Sequence, residues 1–153
     1  MRGTLLLLLL ALPAAFSDAA PVSLCLRESP SFEIRYTHSV ERTPVVETYR
    51  VQGKTLVLVG MRFRSSGWGL PSEGYVRQDG WFVLSGLHRP LDALRLRVTR
   101  LNRYVLVAER RALPLLSLAG DGGMLVLSAD QTRDCARVLR IVRSSTARPG
   151  LVR

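Results

Sequence analysis

Lysine, histidine and cysteine are the scarce residues of this 153-residue chain, and each scarcity narrows the chemistry open to it. Lys54 is the single lysine, so arginine carries nearly all of a net charge of +10. Histidine occurs only as His38 and His88, and His88 stands before Arg89-Pro90 with no second ligand at metal-binding spacing. A metal centre would have to be assembled from His38, Glu41 and Glu47, a set poor in soft ligands. No Gly-x-Ser-x-Gly turn is present to raise a nucleophilic serine. Gly120-Asp121-Gly122-Gly123 has neither a helix behind it nor a following Lys-Ser or Lys-Thr, so it reads as a turn and not as a phosphate loop. The positive charge comes without a helix-turn-helix, zinc-finger or aromatic RNA-binding signature. Long helical periodicity and internal repeats are missing too, which argues against propellers and solenoids.

What is there begins with Met1-Arg2, an apolar run from Leu5 that Pro13 interrupts, and small residues from Ala14 onward. That order is the order of a secretory signal peptide. A membrane-spanning helix needs about 20 apolar residues, and this run is too short. Ser17-Asp18-Ala19 places small residues where a signal peptidase inspects them, so cleavage is expected after Ala19. Leu24 is too large to precede a lipidated cysteine, which sets Cys25 aside as a lipoprotein anchor. Removing 19 of 153 residues leaves 134, a length suited to one domain with its own core. A single β domain is expected over 20–143, with a basic tail over 144–153. Export to the periplasm or cell envelope also lets Cys25 and Cys135 form a disulfide, although two cysteines alone do not show that they meet. The arginines are spread along strands, read as solvated faces, and nucleic acid is not expected as a partner of an exported chain.

From Val46 onward short apolar runs alternate with turn signals. Gly53-Lys54 turns into a run from Thr55 to Arg64, in which Thr55, Val57, Val59, Met61 and Phe63 are expected on one face, with Arg62 and Arg64 on the other. Ser65 to Gly74 is a long glycine-rich loop. Asp79-Gly80 is a strong hairpin signal between Tyr75–Arg77 and Trp81–Leu84. A further hairpin is expected from Leu94–Val98 through Asn102-Arg103 to Tyr104–Ala108. Residues 112–119 suit a short helical turn or a broken strand, and 130–143 suit a helix or a strand. The fold class is therefore all-β, a single β-sandwich or a closed or partly open barrel of short antiparallel strands.

The densest chemistry lies between Tyr36 and Glu47. Two alternating runs flank the turn-like Glu41-Arg42-Thr43-Pro44, so a hairpin is expected. Centred on Arg42 and Thr43, it would set Val40 against Val45, His38 against Glu47, Tyr36 against Tyr49 and Ile34 against Val51. Those pairs share one face, apolar except for His38 and Glu47. Ser39 falls on the opposite face, so it cannot use the ring of its neighbour His38 as a base without a bulge.

Tyr36 to Glu47, the later Gly67-Trp68-Gly69-Leu70-Pro71, and Cys25-Leu26 behind a signal sequence together resemble a family of small exported bacterial proteins, the domain of unknown function numbered eighteen-fifty. The likeness runs from about Leu24 to Leu127, and its first motif is the specific part. Trp68 stands where a smaller residue is usual, and the segment from Asp130 lies outside the resemblance. The family has no established activity. Its members are often encoded beside TRAP transporters of the TAXI type, so the resemblance implies a transporter component or its solute as partner. The membrane would be met only through the cleaved signal or that transporter.

Three function classes follow. An extracytoplasmic accessory or binding protein would use His38, Glu41, Glu47 and the loop Gly67, Trp68, Gly69, Leu70 and Pro71 as a polar site or partner surface, the histidine held in one tautomer by its carboxylate. The same His38–Glu47 pair could instead do no more than satisfy itself and lock the register of the hairpin. A small hydrolase or a metal-binding protein built on that pair is the alternative. The expectation is a non-enzymatic protein without a cofactor.

Overall fold

Period-two alternation with turn residues at short intervals leaves this chain little choice but antiparallel pairing. A computed structural model of the protein describes residues 20–144. The expected signal peptide, and the expected basic tail beyond Ser144, lie outside the described residues. In chain order the strands are β1 (Val22–Cys25), β2 (Ser31–Thr37), β3 (Pro44–Gln52), β4 (Thr55–Phe63), β5 (Val76–Gln78) and β6 (Trp81–Leu84). They continue as β7 (Arg89–Leu91), β8 (Leu94–Arg97), β9 (Val105–Ala108) and β10 (Arg111–Pro114). One helical turn, α1 (Leu116–Ala119), precedes β11 (Met124–Thr132) and β12 (Cys135–Ser144). Residues 112–119 thus contain both of the forms open to them, the end of a strand and then a helical turn. Residues 130–143 are strand and turn, and Ser144 closes β12 instead of opening a tail.

The strands form two antiparallel sheets. The smaller runs β1-β12-β11-β8, and the larger runs β10-β9-β2-β3-β4-β6-β5, with β7 also paired to β4. Neither closes on itself, so of the two architectures expected the sandwich is the one adopted. Leu96, Leu125, Leu127, Leu139 and Ile141 of the smaller sheet pack against Phe32, Ile34, Tyr49, Val51, Leu56, Leu58 and Leu106 of the larger one. A second, smaller core of Val45, Phe63 and Leu84 lies at the other end of the large sheet. Leu70 and Tyr75 from the loop after β4 pack onto it, and Tyr75 meets Phe63 and Phe82 edge-on at 5.9 and 4.7 Å. Cys25 and Cys135 form a disulfide that ties β1 to the start of β12, with Cα atoms 5.9 Å apart at a sequence separation of 110.

Two turns have positive φ at both central residues. Asp79 and Gly80 both have positive φ, 49° and 76°, which is the twist a two-residue hairpin loop requires and which Asp-Gly supplies readily. Glu109 and Arg110 join β9 to β10 with φ of 49° and 60° and no glycine at all. The Glu109 carboxylate accepts hydrogen bonds from the backbone N–H of Glu28 at 3.1 Å and of Ser29 at 3.3 Å. The Glu28 bond above all holds that carboxyl below its usual range.

The expected face of β4 needs correction. The β3–β4 register shifts between Thr48 and Tyr49, pairing Thr48 with Gly60 but Tyr49 with Leu58. One extra residue resets the alternation. Met61 and Phe63 keep the inner face that was expected of them, whereas between Thr55 and Val59 it is Leu56 and Leu58 that enter the core. Gly60 fits the irregularity because a Cβ there would stand 3.2 Å from the Leu84 carbonyl oxygen of β6.

Candidate functional site

The β2–β3 hairpin keeps the faces expected of it and not the partners. Tyr36 pairs with Val45, Ile34 with Glu47 and Phe32 with Tyr49, and the ladder stops at Thr37 opposite Pro44. His38 therefore does not face Glu47, which corrects the expected pair. The connecting loop is six residues long, not two. His38 N–H donates to the Thr43 carbonyl at 2.9 Å and Arg42 N–H to the His38 carbonyl at 3.0 Å. Nδ1 of His38 accepts the Glu41 backbone N–H at 3.2 Å, so the imidazole shapes its own turn. Two causes favour this register. Pro44 has no N–H for a ladder and is tolerated at the first position of a strand, and the observed pairing stacks Phe32 on Tyr49 with centroids 5.4 Å apart. Moving every partner by an even number of residues preserves the faces while replacing each pair.

Glu47 is then the one acid on the inner face of the hairpin, and its seat has a clear physical form. Along β3 it lies between Val45 of the smaller core and Tyr49 of the larger, and Tyr36 packs against both cores. Tyr49 Oη donates to Glu47 Oε2 at 2.6 Å and Tyr36 Oη donates to Oε1 at 3.1 Å. The Tyr104 ring lies against Tyr36 with centroids 4.9 Å apart. Burial first, and then the Glu47 charge, push the hydroxyls of Tyr36, Tyr49 and Tyr104 well above the ordinary phenol range. This half-buried carboxylate is satisfied by two phenols and touches neither His38 nor Ser39. A hydrolytic dyad or a His38–Glu41–Glu47 metal set is not brought together. Among the described residues no group of three His, Cys, Asp or Glu side chains gathers as metal ligands.

The remaining expected residues do meet, at one end of the sandwich. Thr43 Oγ1 and Ser65 Oγ share a 2.6 Å hydrogen bond, and the Glu41 side chain packs so closely on Gly67 that any Cβ there would collide with it. The Gly67 carbonyl accepts the Leu70 N–H at 3.1 Å, and Gly69 takes a φ of 77°. Leu70 turns inward onto the smaller core while Trp68 points outward, 85% exposed, beside a Val40 that is 62% exposed on the neighbouring loop. Asn102 ties in a third loop, accepting from the Thr37 N–H at 2.7 Å and donating through Nδ2 to the Thr37 carbonyl at 3.2 Å. Leu101, next to it, is also exposed. His38, Glu41 and Gly67 to Pro71 are thus one surface, and Glu47 lies apart from it.

Sequence reasoning missed the three-tyrosine seat of Glu47 and the gathering of arginines around Trp81. Tyr36 and Tyr49 were visible as inner-face residues, but nothing local marks Tyr104, 57 positions after Glu47, as part of the same seat. Arg62 and Arg64 lie over the Trp81 ring, 5.3 and 4.8 Å from its centroid. Their i, i+2 spacing beside a strand tryptophan is the signal that could have found them.

Compared with known proteins, the chain finds no match among curated proteins and none among solved structures. The family model described as a domain of unknown function, DUF1850, matches residues 32–115. That match is narrower than the resemblance read from the sequence, yet it covers both Tyr36–Glu47 and Gly67–Pro71 and more than half of the chain. The chain therefore belongs to the DUF1850 family.

Proposed function

We propose that this protein is an exported, non-enzymatic accessory that docks through its loop end onto an extracytoplasmic component of a TAXI-type TRAP transporter. The observation that carries the reading is the junction of the two motif loops. Glu41 on Gly67 and Thr43 on Ser65 hold the loops together, while Trp68 and Val40 stay in solvent. An aromatic anchor on a braced loop is the kind of group that dominates the energy of a protein interface. The disulfide supports an oxidising compartment, and the transporter is named by the habit of the family.

Co-purification of the mature chain with the neighbouring transporter components tests the proposal. The wild type is expected to retain one of them, and Trp68→Ala with Val40→Ser to lose it by at least about tenfold, in keeping with the loss of an interface anchor. Glu47→Gln, away from the surface, is expected to bind as the wild type does. No association of the wild type, or retention by the double variant, sinks the reading.

A further inference from the structure

Outside the loop end, the outer face of the large sheet collects cations that the linear sequence disperses. Arg62 pairs with Val83 across β4 and β6, which puts it and Arg64 on the outer face together with Trp81. Both guanidinium groups rest over the indole ring. Stacking of this kind orients the planar fork and leaves its N–H donors free for an anion. Among the described residues, no carboxylate lies within ion-pair distance of Arg62, Arg64 or Arg103. The acids bordering this face are Glu33, engaged by Arg35 at 2.7 Å, and Asp79 at the β5–β6 turn.

Beneath the cations the face is apolar. Arg35, Arg62, Arg103 and Trp81 line an open hollow of about 440 Å³ that also includes Val46, Val105 and Val107. Val46 is only 5% exposed although it points away from the sandwich core. The surface therefore has an apolar layer under a cationic rim. It is broad and shallow and spans strands from β10 to β6, which suits an extended anionic plane better than an enclosed small molecule. One exposed apolar side chain adjoins it, Val76 at 63% exposure on β5, which pairs with Val83 as Arg62 does. Tryptophan favours the boundary between headgroups and acyl chains, and arginine favours phosphate.

We propose that this face of the protein lies on an anionic phospholipid bilayer, with Arg62, Arg64 and Arg103 on headgroup phosphates and Trp81 at the interface. A nucleic acid would offer phosphates too, but single-stranded recognition stacks bases on open aromatic rings, and the Trp81 ring already carries two guanidinium groups. The proposal requires no transporter, so it stands or falls separately from the docking function.

Co-sedimentation of the mature chain with vesicles of phosphatidylcholine, with and without phosphatidylglycerol, tests it. Binding is expected only to the anionic vesicles and is expected to weaken as salt rises. Each arginine near the surface contributes roughly fivefold to partitioning, so Arg62→Gln with Arg64→Gln is expected to lower it about 25-fold. The matching lysine pair should keep much of the binding, and equal melting temperatures establish that the variants are folded. Trp68→Phe leaves Trp81 as the one tryptophan, whose emission is expected to shift to the blue on anionic vesicles. Equal binding to neutral vesicles, or no effect of the glutamine pair, overturns the proposal. Displacement by millimolar inorganic phosphate would reveal a free-anion site instead, and tighter binding to a single-stranded RNA oligomer than to vesicles would assign the face to nucleic acid; either outcome also overturns it.

Discussion

Glu47 takes its two short hydrogen bonds from Tyr49 and Tyr36, so the protons on those phenols are part of the fold. Their pKa values are raised from the ordinary 10.0, first by burial and then by the carboxylate. A raised folded-state value means that the native protein holds these protons more tightly than the unfolded chain does. The stabilisation is complete below pH 10 and is lost as pH climbs from there toward the raised values. Thermal melts are expected to show a steep fall in Tm above pH 10, and Tyr49→Phe is expected to flatten it. At neutral pH the same variant leaves the carboxylate one donor short, at a cost of about 1–3 kcal/mol in denaturant titration. An unchanged neutral stability together with an unchanged alkaline slope would mean that the seat contributes nothing.

At the scale of elements, close backbone approaches decide which turns tolerate change. A Cβ at Gly123 would meet the carbonyl oxygen and carbon of Ala119, both backbone atoms of the last residue of α1. At Gly67 the three nearest atoms it would meet all belong to the side chain of Glu41, which can swing aside. Gly123→Ala is therefore expected to destabilise the protein by more than about 2 kcal/mol, because main chain must move. Gly67→Ala is expected to cost less than about 1 kcal/mol while weakening the junction of the motif loops, which matters for docking. Chemical denaturation of the two variants checks the order, and a reversed order contradicts it. Turn chemistry was legible at Asp79-Gly80 and Gly53-Lys54. The hairpin expected through Asn102-Arg103 does not form, because β8 pairs with β11 in the smaller sheet and β9 with β2 and β10 in the larger. The Glu109-Arg110 turn was not legible, because its positive φ values are supported by a carboxylate reaching 80 and 81 residues back to Ser29 and Glu28.

For the whole molecule, the disulfide closes a loop across 110 residues and fastens an edge strand of the smaller sheet. Cross-linking so long a loop restricts the unfolded chain by about 4–5 kcal/mol in the chain-entropy account. Cys25→Ser with Cys135→Ser is expected to lose a large part of that, read as a lower denaturation midpoint with a steeper slope, because the unlinked chain unfolds to a more open state. A midpoint equal to that of the oxidised wild type would remove the bridge as a source of stability. The smaller sheet is the part that depends on it most, since β1 makes its ladder with β12 alone.

Alternation and turn residues by themselves determined that the chain is all-β, which side chains of the β2–β3 hairpin share a face, and that Glu47 is an acid on an apolar face. A local pattern fixes the side of a strand because the side-chain period is two. Partners across a ladder are a different matter. An even shift costs no change of face, so only the stacking of Phe32 on Tyr49 and the refusal of Pro44 to extend the ladder selected the register that separates His38 from Glu47. Tertiary structure alone also brought Glu41 onto Gly67, Tyr104 onto Tyr36, and Arg62 and Arg64 over Trp81. Each of those contacts joins different elements of the fold, and its energy exists only once the sheets have formed.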